Sequence, residues 1–86
     1  MTITVELTYD MAKVLGTRSI ALEAPRTVAE VLREARGRFG DQGEAFDRMA
    51  GVAAVAVNGV LVAHRREGVR LADGDLVSFV KTAAGG

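Results

Sequence analysis

The sequence predicts an α+β domain, a mixed sheet covered on one face by a helix. Three observations carry that prediction. Two segments near the N-terminus alternate apolar and polar side chains with period two, a capped amphipathic helix follows them, and further β-branched runs come after the helix. A helix placed between early and late strands acts as a crossover.

Residues 2–9 read as the first strand, with Ile3, Val5, Leu7 and Tyr9 on a buried face and Thr2, Thr4, Glu6 and Thr8 on the other. Residues 10–16 begin with Asp10 as a potential cap, space Met11, Val14 and Leu15 like one helical turn, and stop at Gly16, which predicts a short turn. Residues 17–23 alternate again, and two sequential strands with a compact connection favour an antiparallel pair. Pro25 ends the second strand. Thr27-Val28-Ala29-Glu30 has the form of a capping box, in which the threonine hydroxyl and the glutamate carboxylate each accept from a free backbone N–H. Val28, Val31, Leu32, Ala35 and Phe39 then recur at helical spacing, and Gly40 closes the helix as a left-handed cap. Arg33, Glu34, Arg36 and Arg38 fall largely on the opposite side and read as a solvated face, a partner site being the less favoured alternative.

Residues 41–51 place Phe46 and Met49 at a helical interval and predict a second short helix or an ordered loop. The β-branched run 52–57 leads into Asn58-Gly59, the strongest two-residue hairpin signal because both positions tolerate positive φ, and residues 60–63 return as a strand. Residues 64–68 read as a hydrophilic loop, and His64 has no serine, cysteine or acid in a triad relation to it. Ala72-Asp73-Gly74-Asp75 is a turn whose aspartates bond local amides, a structural role that outweighs an acid–base pair. Residues 76–80 form the last strand.

The 86 residues bound one small domain, and 49% hydrophobic residues suffice for one core. Without cysteine there are no disulfides or thiolate metal sites, and a single histidine builds no zinc site, so no metal is expected. Eleven basic and eleven acidic residues cancel, which removes the electrostatic footprint of a nucleic-acid binder. No continuous apolar segment resembles a signal peptide or a membrane span, so the protein is expected to be soluble and cytoplasmic, with no membrane partner. Residues 1–80 are read as the domain and 81–86 as a flexible tail ending in Gly85-Gly86, which contribute nothing to a core.

Strand, strand, helix and further strands in this order fit the β-grasp of ubiquitin-like proteins. Thr27-Val28-Ala29-Glu30-Val31-Leu32 after a hairpin, Val55-Ala56-Val57-Asn58-Gly59 before a return strand, residues 71–77 (Leu-Ala-Asp-Gly-Asp-Leu-Val) and a terminal Gly85-Gly86 occur in the order and approximate spacing of MoaD/ThiS-type sulfur carriers. The resemblance spans the whole chain, and its length is similar to that of the small subunit of molybdopterin synthase. Two positions depart from that subunit. It commonly has an Arg-Glu pair where this chain has Ala12-Lys13, and often a Pro-Pro where this chain has Lys81-Thr82. The tail therefore also resembles carriers serving thiazole, cysteine, tRNA-thiolation or natural-product pathways.

The resemblance implies that the Gly86 carboxylate, an anion at neutral pH, is adenylated by an ATP-dependent activating enzyme and converted to a thiocarboxylate. ATP belongs to that partner, and the carrier holds no permanent cofactor and is not an enzyme by itself. Ala83, Ala84 and Gly85 thread into the partner's narrow site, where a larger side chain would clash. A six-residue tail reaches about 20 Å when extended. The second implied partner is a sulfur-acceptor enzyme such as the molybdopterin synthase large subunit. Alternation puts Leu61 and Val80 on the sheet face not covered by the helix, alongside Thr8, and with Lys81 at the tail root these form the expected partner-binding set. A ubiquitin-like modifier joined to lysines, and a plain interaction domain with an inert tail, are the alternatives from other classes.

Overall fold

The computed structural model describes residues 1–62 and 68–81. His64, at the start of the predicted loop, and Ala83, Ala84, Gly85 and Gly86 of the predicted tail lie outside the described residues. In chain order the elements are β1 (Ile3–Glu6), α1 (Tyr9–Leu15), β2 (Ser19–Leu22), α2 (Val28–Arg38), a 3-10 turn (Gly40–Gln42), α3 (Gly43–Val52), β3 (Ala54–Val57), β4 (Val60–Val62) and β5 (Leu76–Val80). The strands form one sheet in the order β2-β1-β5-β3-β4. β1 pairs with β2 and β3 with β4 as antiparallel hairpins, while β5 enters between them, parallel to β1 and antiparallel to β3. This is the β-grasp, with the last strand at the centre.

The local signals act as the residue types dictate. The Thr27 hydroxyl accepts from Glu30 N at 3.2 Å and caps α2, but the Glu30 carboxylate accepts from Arg26 N at 3.0 Å rather than from Thr27 N, so the box closes one residue early. Asn58 (φ 51°) and Gly59 (φ 84°) both take the left-handed conformation that a two-residue hairpin needs.

The expectations for residues 7–10 and for Val52 are corrected. The first strand stops at Glu6, because Thr8 leaves the ladder to cap α1, its hydroxyl accepting from Met11 N at 3.1 Å. The cap is therefore Thr8 and not Asp10, and Tyr9, expected on the buried face, begins the helix and is 67% exposed. The sheet is covered on one face as expected, and of the two alternatives for residues 41–51 the short helix is the one that forms. Residues 43–52 form α3, which packs beside α2, and Val52 belongs to this helix rather than to the following strand.

The core lies between the helices and one face of the sheet. Val5, Val55 and Val77 from the sheet meet Val28 and Val31 from α2, all fully buried. Phe46 of α3 is also fully buried, stacked on Phe39 at 5.5 Å between centroids and edge-on to Phe79 of β5 at 5.7 Å. On the outer side Arg36 and Asp47 pair at 2.6 Å across α2 and α3, and Arg38 donates to the Ala21 carbonyl at 3.1 Å, covering an acceptor of the edge strand β2.

The turn before β5 is stitched to the β3–β4 hairpin. Asn58 Nδ2 donates to Asp75 Oδ1 and Asn58 Oδ1 accepts from Leu76 N, each at 2.9 Å, while Asp75 Oδ2 accepts from Ala72 N at 2.7 Å. The Ala72 N–H and then the Asn58 amide hold the Asp75 carboxyl below its ordinary value of 3.8. Because the folded state favours the ionised form, this stabilisation is complete above the ordinary aspartate range and is lost as pH falls through the lowered folded value. Urea unfolding from pH 7 down to pH 2 should therefore show a steeper loss of stability below about pH 4 in the wild type than in Asp75→Asn, which should also have the lower midpoint at neutral pH. Parallel curves would remove Asp75 from the network.

Candidate functional site

β5 ends at Val80, in the middle of the sheet, and the parallel pairing of β1 and β5 brings the end of β1 and the start of α1 beside this point. The chain leaves the sheet at Lys81, whose Nζ lies 3.6 Å from Asp10 Oδ2. An open groove of about 470 Å³ lies here, with Thr8, Tyr9, Asp10, Arg18, Val80 and Lys81 among its walls. At its floor Ser78 donates to Glu6 at 3.2 Å.

The sheet face away from the helices runs into the groove. The strand register aligns Leu61, Ala56, Ser78, Glu6 and Ser19 across all five strands on that face, and places Ala54 beside Val80. One half of the face is thus apolar, towards β4, and the other polar, towards β2. Leu61 is 64% and Val80 38% exposed, while Ala56 between their strands is 5% exposed. One strand and two residues separate Leu61 from Val80, about 12 Å at ordinary sheet spacings, and among the described residues only the small Ala54 and Ala56 stand between them. Two large apolar groups flanking a low centre make a shallow apolar seat.

Of the expected partner-binding residues, Val80, Lys81 and Thr8 meet at the groove, and Leu61 stands apart on β4. Thr8 reaches the groove as a helix cap with its hydroxyl engaged, not as a strand residue of the open face. Tyr9, Asp10, Arg18 and Glu6 were not expected there. Their signal was absent from the local pattern, because it depends on a pairing between residues about seventy positions apart, as for Ser78 and Glu6 at a separation of 72. Among the described residues no group of His, Cys, Asp and Glu side chains could hold a metal ion, and no helix is long and apolar enough to cross a membrane.

Residues 6–86 match the ThiS family, a span that includes β5, the groove and the terminal glycines. The chain belongs to the ThiS family. No curated protein matches this ThiS-family chain. Among solved structures it is similar to SAMP1 from Haloferax volcanii, with 26% identity, full coverage of both chains and a TM-score of 0.72. It is similar in fold to a chain of the complex of subunits 1 and 2 of the molybdopterin-converting factor from Helicobacter pylori, with 23% identity, full coverage of both chains and a TM-score of 0.63. A putative subunit 1 of that factor from Pyrococcus furiosus aligns over 96% of this chain and 99% of its own, at 19% identity and a TM-score of 0.66.

Proposed function

We propose that this ThiS-family chain is a sulfur carrier whose reactive atom is the carboxyl carbon of Gly86. The observation that carries the reading is the family match through residue 86 on a β-grasp whose central strand delivers the chain to the sheet's end. In the first step a Gly86 carboxylate oxygen attacks the α-phosphorus of ATP bound by an activating enzyme, and pyrophosphate leaves. Hydrosulfide supplied by the partner system then attacks the carbonyl carbon, a C–S bond forms as the C–O bond to AMP breaks with its electron pair leaving on AMP, and loss of the S–H proton gives the thiocarboxylate. The chain contributes no catalytic side chain: residues 1–80 dock and 81–86 present the terminus, with Ala83, Ala84 and Gly85 keeping the stalk narrow. ATP is consumed by the partner, and both steps take place in the cytoplasm.

Incubation with the activating enzyme, ATP and a sulfur source should raise the intact mass by the difference between one sulfur and one oxygen atom. An unchanged mass, with the enzyme active on another carrier, rejects the reading. The favoured acceptor is a molybdopterin synthase large subunit. The chain's length and its likeness to the Helicobacter pylori complex support this. The acceptor should dock on the open face with Leu61 and Val80 as apolar anchors and Lys81 and Thr8 at the rim. Leu61→Asp and Val80→Asp should each weaken binding at least tenfold by calorimetry, about 1.4 kcal/mol, and leave the fold intact because neither side chain enters the core. Unchanged affinity would move the docking site elsewhere.

The likeness to SAMP1 favours a second reading, a modifier joined through Gly86 to lysines of other proteins. Conjugates would leave a Thr82–Gly86 remnant on the acceptor lysine after trypsin cuts behind Lys81. Such remnants in a cell digest support the modifier; thiocarboxylate without them supports the carrier.

A further inference from the structure

We infer that Lys81 is a site of self-acylation by the activated C-terminus, and that Asp10 holds its amine back from that reaction. The inference rests on the carrier reading above. Once Gly86 is an acyl-adenylate, any amine within reach competes with the sulfur donor for the carbonyl carbon. Of the eleven basic residues two are lysines, Lys13 and Lys81, and the other nine are arginines. A guanidinium stays protonated and does not attack. The two side-chain amines are both engaged by the first two residues of α1. Lys81 Nζ lies 3.6 Å from Asp10 Oδ2, and Lys13 Nζ stands 5.4 Å from the centroid of the Tyr9 ring.

Lys81 is the closer threat. Gly86 follows it by five residues, and at roughly 3.3 Å per residue this span is long enough to close back on the lysine stem. The sequence Ala-Ala-Gly-Gly adds no bulky side chain, and glycine accepts the dihedrals that a reversal needs. An amine tethered so closely acts at an effective concentration on the order of millimolar. In the side reaction the neutral Nζ attacks the Gly86 carbonyl carbon, a C–N bond forms, the C–O bond to AMP breaks with its electron pair leaving on AMP, and the amine's proton passes to water. The product is an internal amide that accepts no sulfur. Asp10 opposes this from outside the tail, anchored on a helix that Thr8 caps and whose Met11 and Leu15 are buried in the core.

The test needs no activating enzyme. The full chain is released from an intein fusion as a Gly86 thioester of a small thiol, and intact mass with fragmentation reports how much becomes amide and how much hydrolyses to acid. The amide is lighter than the acid by one water. Asp10→Asn should raise the Lys81–Gly86 amide fraction about two- to fivefold over wild type, the range that an exposed ion pair commands. Asp10→Glu should keep it low, and Lys81→Arg combined with Asp10→Asn should remove it. Equal amide in wild type and Asp10→Asn, or amide only at Lys13, overturns the inference. Because the thioester is made without a partner, that outcome leaves the carrier reading standing, and a failure of enzymatic thiocarboxylation leaves the thioester result standing.

Discussion

Phe46→Ala should lower the unfolding free energy by about 3–5 kcal/mol, the cost of removing a large aromatic side chain from a well-packed site. Phe46 is fully buried and links three elements, stacked on Phe39 after α2 and edge-on to Phe79 of β5. Its loss opens a cavity between α3 and the sheet and removes both ring contacts at once. Total stability of a small domain is about 5–15 kcal/mol, so the variant should be close to unfolded at 37 °C. Its urea midpoint should fall well below that of Phe46→Leu, which keeps most of the volume. A loss under 1 kcal/mol would mean that the helical layer relaxes to fill the site.

Removal of Gly85 and Gly86 should abolish sulfur loading while leaving the unfolding midpoint unchanged. The core residues all precede Val80, and the last two residues add no side chain to it. Deletion also leaves Ala84 as the terminal acyl group and shortens the stalk by roughly 7 Å at the extended rise per residue, so the carboxylate should no longer reach the nucleotide. Gly86→Ala isolates the steric requirement by keeping the length. Activation should fall at least a hundredfold in pyrophosphate exchange if the partner's channel excludes a Cβ, equivalent to about 2.7 kcal/mol of transition-state stabilisation. Full loading of the truncated chain, which ends on the Ala84 carboxylate, would refute Gly86 as the reactive terminus.

These two predictions sit on opposite sides of what local sequence can reveal. The alternation of residues 2–7, the Thr27 cap, the Asn58-Gly59 turn and the strand 76–80 were legible because each is set by neighbours within a few positions: side-chain period, a hydroxyl near a free N–H, or a tolerated positive φ. Family resemblance extended that reading to the terminal glycines. The same local logic misplaced Tyr9, because a period-two pattern and a helix cap compete over Thr8, and the cap prevails once Met11 and Leu15 can be buried by α1.

By itself the sequence determined the strand, strand, helix and further-strand order that fits a β-grasp, the hairpin signals, the main crossover helix and the position of Gly85-Gly86 after the last strand. Only the tertiary structure decided that Asp10 meets Lys81, that Asn58 binds Asp75 and that the Phe46 ring joins Phe39 to Phe79. The reason is that β5 inserts between two hairpins formed far apart in the chain. Contacts across such separations depend on register and packing of whole elements, which no window of neighbouring residues encodes.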